Sequence, residues 1–167
     1  MERSEGITGL TKLFRESLMT VPDGSLVIFL GSEAVCPPFA QLLAYSVRDR
    51  GLNFGFAPRS VWNKCRNVAW VEDIGFQIGS EPVDPTEAKV VVLLGGLAIP
   101  KFGCEVSDVD SFIDRMPTRP LVIGVGFMDV FRRSLWDRHI QFDILIDGYM
   151  SAENLIAPSA GTEELSR

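Results

Sequence analysis

The sequence predicts an α/β fold: a three-layer α/β/α sandwich built on a mainly parallel, doubly wound sheet of five or six strands. Three runs carry this reading. Lys89-Val90-Val91-Val92-Leu93-Leu94-Gly95-Gly96 is apolar and largely β-branched up to its two glycines, the pattern of a strand buried on both faces with a sharp turn at its carboxyl end. Leu26 to Gly31 upstream and Leu121 to Gly126 downstream repeat the design, and each is followed by a segment with helical spacing. Strands alternating with helices form a parallel sheet covered on its faces, and such sheets bind ligands beyond the carboxyl ends of their strands.

The elements follow in order. Ile7, Leu10, Leu13, Phe14 and Leu18 recur at helical spacing and predict an amphipathic helix over residues 7–20, ended by Pro22-Asp23-Gly24. Strand one covers Ser25 to Leu30. Phe39, Leu42, Leu43, Ser46 and Val47 then mark a helix from Pro38 to Arg50, with proline tolerated in its first turn and Gly51 as a left-handed stop. Asn53 to Ala57 reads as strand two, and Pro58 opens a brief helix to Arg66. Val68, Trp70, Ile74, Phe76 and Ile78 share one parity, giving strand three at Val68 to Val71 and an extended or hairpin-like stretch at Ile74 to Ile78. Ser80 to Pro85, with two prolines, reads as a loop into strand four. Val106, Val109, Phe112, Ile113 and Met116 mark a helix with Ser107 as its cap. Strand five is Leu121 to Val125, a helix runs from Phe127 to Arg138, and strand six is Phe142 to Ile146.

With 167 residues and 46% hydrophobic content, the chain is expected to form a single domain over residues 1–150 and a loosely ordered tail over residues 151–167. No apolar run approaches the roughly 20 residues that cross a bilayer, and the charged start Met1-Glu2-Arg3-Ser4-Glu5 lacks a signal-peptide core. A cytoplasmic protein without a membrane partner is expected. The net charge of −6 and scattered basic residues exclude the usual nucleic-acid footprint. Cys36, Cys65 and Cys104 form no Cys-x-x-Cys pair, which argues against a disulfide framework or zinc ribbon and for free thiols.

In the strand order 3-2-1-4-5-6, strands one and four are neighbours with following helices on opposite faces, so their carboxyl-end loops border a crevice. Those loops bring Ser32, Glu33 and Cys36 against Gly95, Gly96 and Lys101, joined by Gly124, Gly126, Phe127 and Asp129 of strand five and its loop. Helix-end N–H groups after each loop would favour an anion, with Lys101 to neutralise it. The same glycines serve equally as strand-to-helix turns, and neither glycine pair matches a nucleotide-binding fingerprint. Cys36, at a helix start, is the candidate nucleophile or soft-metal ligand, because helix-end N–H groups lower a thiol pKa; a buried structural cysteine is the plainer reading. The sole histidine, His139, falls before strand six on the opposite edge and is badly placed as its base. No carboxylate spacing favours a metal, and no cofactor is specified.

The stretches Gly31 to Tyr45, Val91 to Lys101 and Ile123 to Met128 resemble a small family of uncharacterised archaeal proteins found mainly in methanogens. The resemblance reaches from residue 7 to about residue 150. It implies an intracellular archaeal protein with a Rossmann-like fold, and it carries over no catalytic residue or cofactor.

Two functions follow from the residues. One is a non-catalytic module that binds a small, anionic molecule in the glycine-lined crevice, favoured by apolar loop residues Leu97, Ile99, Phe127 and Met128 beside few polar groups. The alternative is an enzyme using Cys36. A partner surface marked by Trp62 or Trp136 and a homo-oligomer also remain open.

Overall fold

A computed structural model of the protein describes residues 1–155. The chain runs α1 (Gly6–Ser17), β1 (Leu26–Gly31), α2 (Pro37–Ser46), β2 (Asn53–Pro58), β3 (Arg66–Val71), β4 (Gly75–Pro82), β5 (Ala88–Leu94), α3 (Val106–Asp114), β6 (Leu121–Phe127), α4 (Val130–Arg133) and β7 (Ile144–Gly148). All strands join one sheet in the order β4-β3-β2-β1-β5-β6-β7. The five strands from β2 through β7 in that order are parallel, β3 runs antiparallel to β2, and the edge strand β4 runs antiparallel to β3. The fold is α/β with a mostly parallel sheet. It has seven strands rather than the expected five or six, and one of them, β3, is reversed.

Both differences have a local cause. Between β2 and β3 the chain has only residues 59–65, with a 3-10 turn at Trp62–Lys64. A parallel crossover needs about a dozen residues or more, so the next strand has to return antiparallel. The seventh strand is the return arm of a hairpin through Asp73, and it continues through Ser80–Pro82, which sequence reading assigns to a loop. Proline is compatible with an edge strand because no neighbour there needs its N–H.

β5 lies between β1 and β6, next to the middle strand β1. Its alternation divides the core. Val90, Val92 and Leu94 join Leu10 and Phe14 of α1 and Leu43 of α2. Val91 and Leu93 join Val109 and Phe112 of α3 and Phe131 of α4 on the opposite face. β1 splits the same way, Val27 and Phe29 against Ile28 and Leu30. A run buried on both faces therefore reads as continuous apolar sequence, as expected for a parallel interior strand.

Three further boundaries depart from expectation. α3 starts with Glu105 as N-cap, whose side chain and that of Asp108 form a reciprocal capping box, so Ser107 is not the cap. Residues 127–138 form no single helix: α4 is short, and Leu135, with φ of 63°, breaks the chain before a 3-10 turn at Trp136–Arg138. β7 lies two residues later than expected. The helix expected over Pro38 to Arg50 ends at Ser46, and Gly51, left-handed with φ of 59°, closes the separate 3-10 turn at Arg48–Arg50. Residues 151–155 are exposed and carry no regular structure, and the remainder of the expected tail lies outside the described residues. Among the described residues no helix is long and apolar enough to cross a membrane.

Candidate functional site

The carboxyl edge of the sheet gathers most of the residues singled out above. Beyond β1, Ser32 is fully buried; its hydroxyl accepts the Ala34 N–H at 3.3 Å and its carbonyl accepts the Cys36 N–H at 2.9 Å. Its polar atoms thus shape the loop. Glu33 is exposed and pairs with Arg59 of the loop after β2, Nη2 to Oε1 3.1 Å, a half-exposed contact worth at most about 1 kcal/mol. Beyond β5, a 3-10 turn at Gly95–Ala98 leans on the β1 loop. A Cβ at Gly96 would stand 2.5 Å from Cys36 Sγ and 2.8 Å from Val35 Cγ2. Gly96 therefore lets the two strand ends close on each other, and the protein's own side chains fill much of the gap expected there.

The remaining candidates separate. Gly95 and Gly126 make room for Val130 Cγ1 of α4, at 2.8 and 2.9 Å from where their Cβ atoms would be. Gly124 faces Leu145 and Phe142, inside the core and away from the edge. Phe127 packs on Phe39 of α2, ring centroids 5.0 Å apart. Asp129 has a left-handed backbone; its N–H donates to both carboxylate oxygens of Asp147, and burial pushes the Asp147 carboxyl up from its ordinary value. Lys101 is exposed, with its ammonium 5.6 Å from the Phe102 ring and no carboxylate within 4.0 Å among the described residues.

The convergence of helix-end N–H groups expected at this edge is absent, and the prolines explain it. α2 begins Pro37-Pro38, so its first two positions have no N–H, and Phe39 and Ala40 donate back to the Cys36 carbonyl at 3.0 and 3.1 Å. The turn after β5 is 3-10 and brief, and α4 has a single turn that starts behind Asp129. For the same reason the Cys36 thiol is not activated. It is 2% exposed, and burial pushes it up from its ordinary value, with backbone hydrogen bonds at Ser32 and Gly96 only opposing that shift. His139 lies with Met116, Arg119 and Val122 around a shallow 390 Å³ hollow at the amino edge of β6, far along the sheet from Cys36.

Burial also pushes Cys104 up, and pushes Cys65 to about 12. Since the thiolate is the reactive form, none of the three should label quickly at neutral pH. Cys104 is the most exposed and is expected to react first with iodoacetamide, with Cys36 and Cys65 following only as the protein unfolds. Mass-mapped labelling checks this; a Cys36 that outpaces Cys104 in the native protein contradicts it.

Several residues at the same edge escape sequence reading. Arg59 and Ser60 both have left-handed backbone, φ 49° and 61°, in a tight turn closed by Val61 N–H to the Pro58 carbonyl at 3.0 Å. Such a turn favours Asn and Gly, and neither is present to signal it. It fronts a 270 Å³ cavity, walled on the other side by Asp108, Ser111, Phe112 and Arg115 of α3 and its end. The Arg115 guanidinium lies over the Trp62 ring at 4.3 Å, and Trp62 packs on Phe112 at 4.8 Å. Pieces about fifty residues apart form this wall, so no local spacing announces it.

A family profile described as an uncharacterized protein conserved in archaea, DUF2124, matches residues 5–151. The chain belongs to the DUF2124 family. Among its relatives, an uncharacterized protein of Methanocaldococcus jannaschii is 39% identical over 145 residues, 85% of this chain and 86% of the relative. Another, from Methanothermobacter thermautotrophicus, is 35% identical over 158 residues, covering 90% of this chain and 98% of the relative. A crystal structure of a protein of unknown function from Methanothermobacter thermautotrophicus superposes with a TM-score of 0.82 at 31% identity, over 94% of this chain and 97% of that one. DUF2124 membership agrees with the archaeal family that the strand-end motifs suggest.

Proposed function

We propose that this DUF2124 protein is a non-catalytic binding or regulatory module that holds a small, anionic molecule at the carboxyl edge of a doubly wound, three-layer sheet. The observation that carries the reading is the reversal at β1 and β5. α2, which follows β1, packs into one core cluster, and α3, which follows β5, packs into the other. Neighbouring parallel strands whose connections depart to opposite faces are where such folds bind ligands. Gly95 and Gly96 keep partly open backbone at that point, and on its other side Glu33 is exposed above the buried Ser32 and Cys36. Positive charge there comes from Arg59 rather than from helix ends. The alternative of an enzyme using Cys36 has less support: among the described residues no histidine lies at the Cys36 edge, and burial pushes the thiol up rather than poising it to ionise. Three free thiols suit a reducing compartment, so we place the protein in the cytoplasm.

A native mass spectrum of the protein purified from its own host tests the reading. A non-covalent mass excess of metabolite size, shed on mild collisional activation, is expected, and the same spectrum gives the subunit count. Bare protein in every preparation contradicts it.

A further inference from the structure

We infer that the cavity between the Arg59–Trp62 turn and α3 is the anion subsite of this module, taking the carboxylate or phosphate group of a small metabolite between the guanidinium groups of Arg59 and Arg115. The inference rests on the binding-module reading and adds a place and a ligand chemistry to it. None of the residues lining this cavity belongs to the strand-end glycine set.

Four observations support it. The space is a shallow cleft of about 270 Å³, open to solvent and large enough to seat a small organic acid against its wall. The Arg115 guanidinium lies over the Trp62 ring, and no carboxylate is within 4.0 Å of it among the described residues. The contact holds the guanidinium against the ring and leaves its N–H groups available to an oxyanion, which a guanidinium binds through paired hydrogen bonds. Ser60 also lines the cavity and is only 8% exposed, yet its hydroxyl has no partner better than the Cys104 thiol at 3.8 Å. A buried hydroxyl without a strong partner is costly, and a ligand oxygen would satisfy it. Finally, Arg59 and Ser60 are held in a left-handed turn that disfavours both residue types, and such strain concentrates where ligands are clamped.

Two acidic groups border the site. Glu33 takes one side of the Arg59 guanidinium, and Asp108 accepts the Glu105 N–H within the α3 capping box. Asp108 sits two turns from Arg115 along α3, so the anion belongs nearer Arg115; Ser60 can donate there, while the Ser111 hydroxyl already donates to the Ser107 carbonyl at 2.8 Å. The Asp108 end suits a hydroxyl or amine on the ligand body.

The test uses the full chain, titrated separately with benzoate and with inorganic phosphate while the indole N–H resonances of Trp62, Trp70 and Trp136 are followed by NMR. Saturable movement of the Trp62 signal alone is expected; the probe that binds more tightly tells a carboxylate ligand from a phosphate one. Arg115→Gln should weaken that binding at least about tenfold, and Arg115→Lys, which keeps the charge but not the fork, should weaken it as well. Ser60→Ala supplies a second variant should either Arg115 variant misfold, and it should weaken binding several-fold. Movement of Trp62 with neither probe, or binding unchanged in a folded variant, overturns the proposal. Native spectra of Arg115→Gln from the host separate the two readings: a retained ligand leaves the module in place and removes the subsite.

Discussion

Replacing Val92 by Asp is expected to abolish cooperative folding. Val92 is fully buried in β5, paired with Phe29 of β1 on one side and Ile123 of β6 on the other. Its side chain belongs to the cluster that joins α1 and α2 to the sheet. Losing it removes about 1.5–3 kcal/mol of apolar burial. A carboxylate there has no buried cation to pair with, and burying it, charged or protonated, costs several kcal/mol more. Against a typical total of about 5–15 kcal/mol, little or no stability remains. Lys89→Asp, at an exposed position of the same strand, is the control and should melt close to the native protein. Far-UV circular dichroism on both variants decides; a soluble Val92→Asp protein with a sharp thermal transition contradicts the placement.

Gly103→Ala is expected to be the most damaging single-methyl change at the candidate edge. After the 3-10 turn that follows β5, the chain doubles back: the Gly103 N–H donates to the Ile99 carbonyl at 2.8 Å and the Cys104 N–H to the Leu97 carbonyl at 3.2 Å. A Cβ at Gly103 would overlap the Leu97 carbonyl and Cα. Backbone cannot step aside by changing rotamer, as Cys36 and Val35 can for a methyl at Gly96. The loop has to open, and opening it draws Leu97, 1% exposed, out of the α3-side core. A loss of about 3 kcal/mol or more follows, from overpacking together with partial loss of a buried leucine. For a chain of this size that lowers the melting temperature by roughly 6–12 °C. A melt within a degree or two of the native protein would show that the loop is looser than the contacts imply.

What could be read from the residues was what the core imposes. A strand buried on both faces must be apolar at every position, so β5 stands out, and the glycines after β1 and β5 mark where backbones meet closely. The reversal of β3 is also legible, since residues 59–65 are too few to cross the sheet, but Pro58 reads locally as a helix opening. The end of β4 is obscured by Pro82, which signals a loop inside a sheet and is harmless on its edge; Pro85 does mark the turn that follows. The left-handed Arg59, Ser60 and Leu135 have no signal, because the residues that ordinarily reveal such a backbone are absent. At the candidate site, Pro37 and Pro38 signal a helix start, and the same missing N–H groups remove the anion donors. The Arg115–Trp62 wall is a product of tertiary packing alone.

The location of binding is tested most directly by hydrogen–deuterium exchange on the protein alone and with the dialysable small-molecule extract of its own host. Protection is expected in residues 32–36, 59–62 and 95–101, at the carboxyl edge, with residues 117–122 and 139–143 at the amino edge unchanged. Protection confined to the amino edge, around Arg119 and His139, or no protection anywhere, would contradict the account.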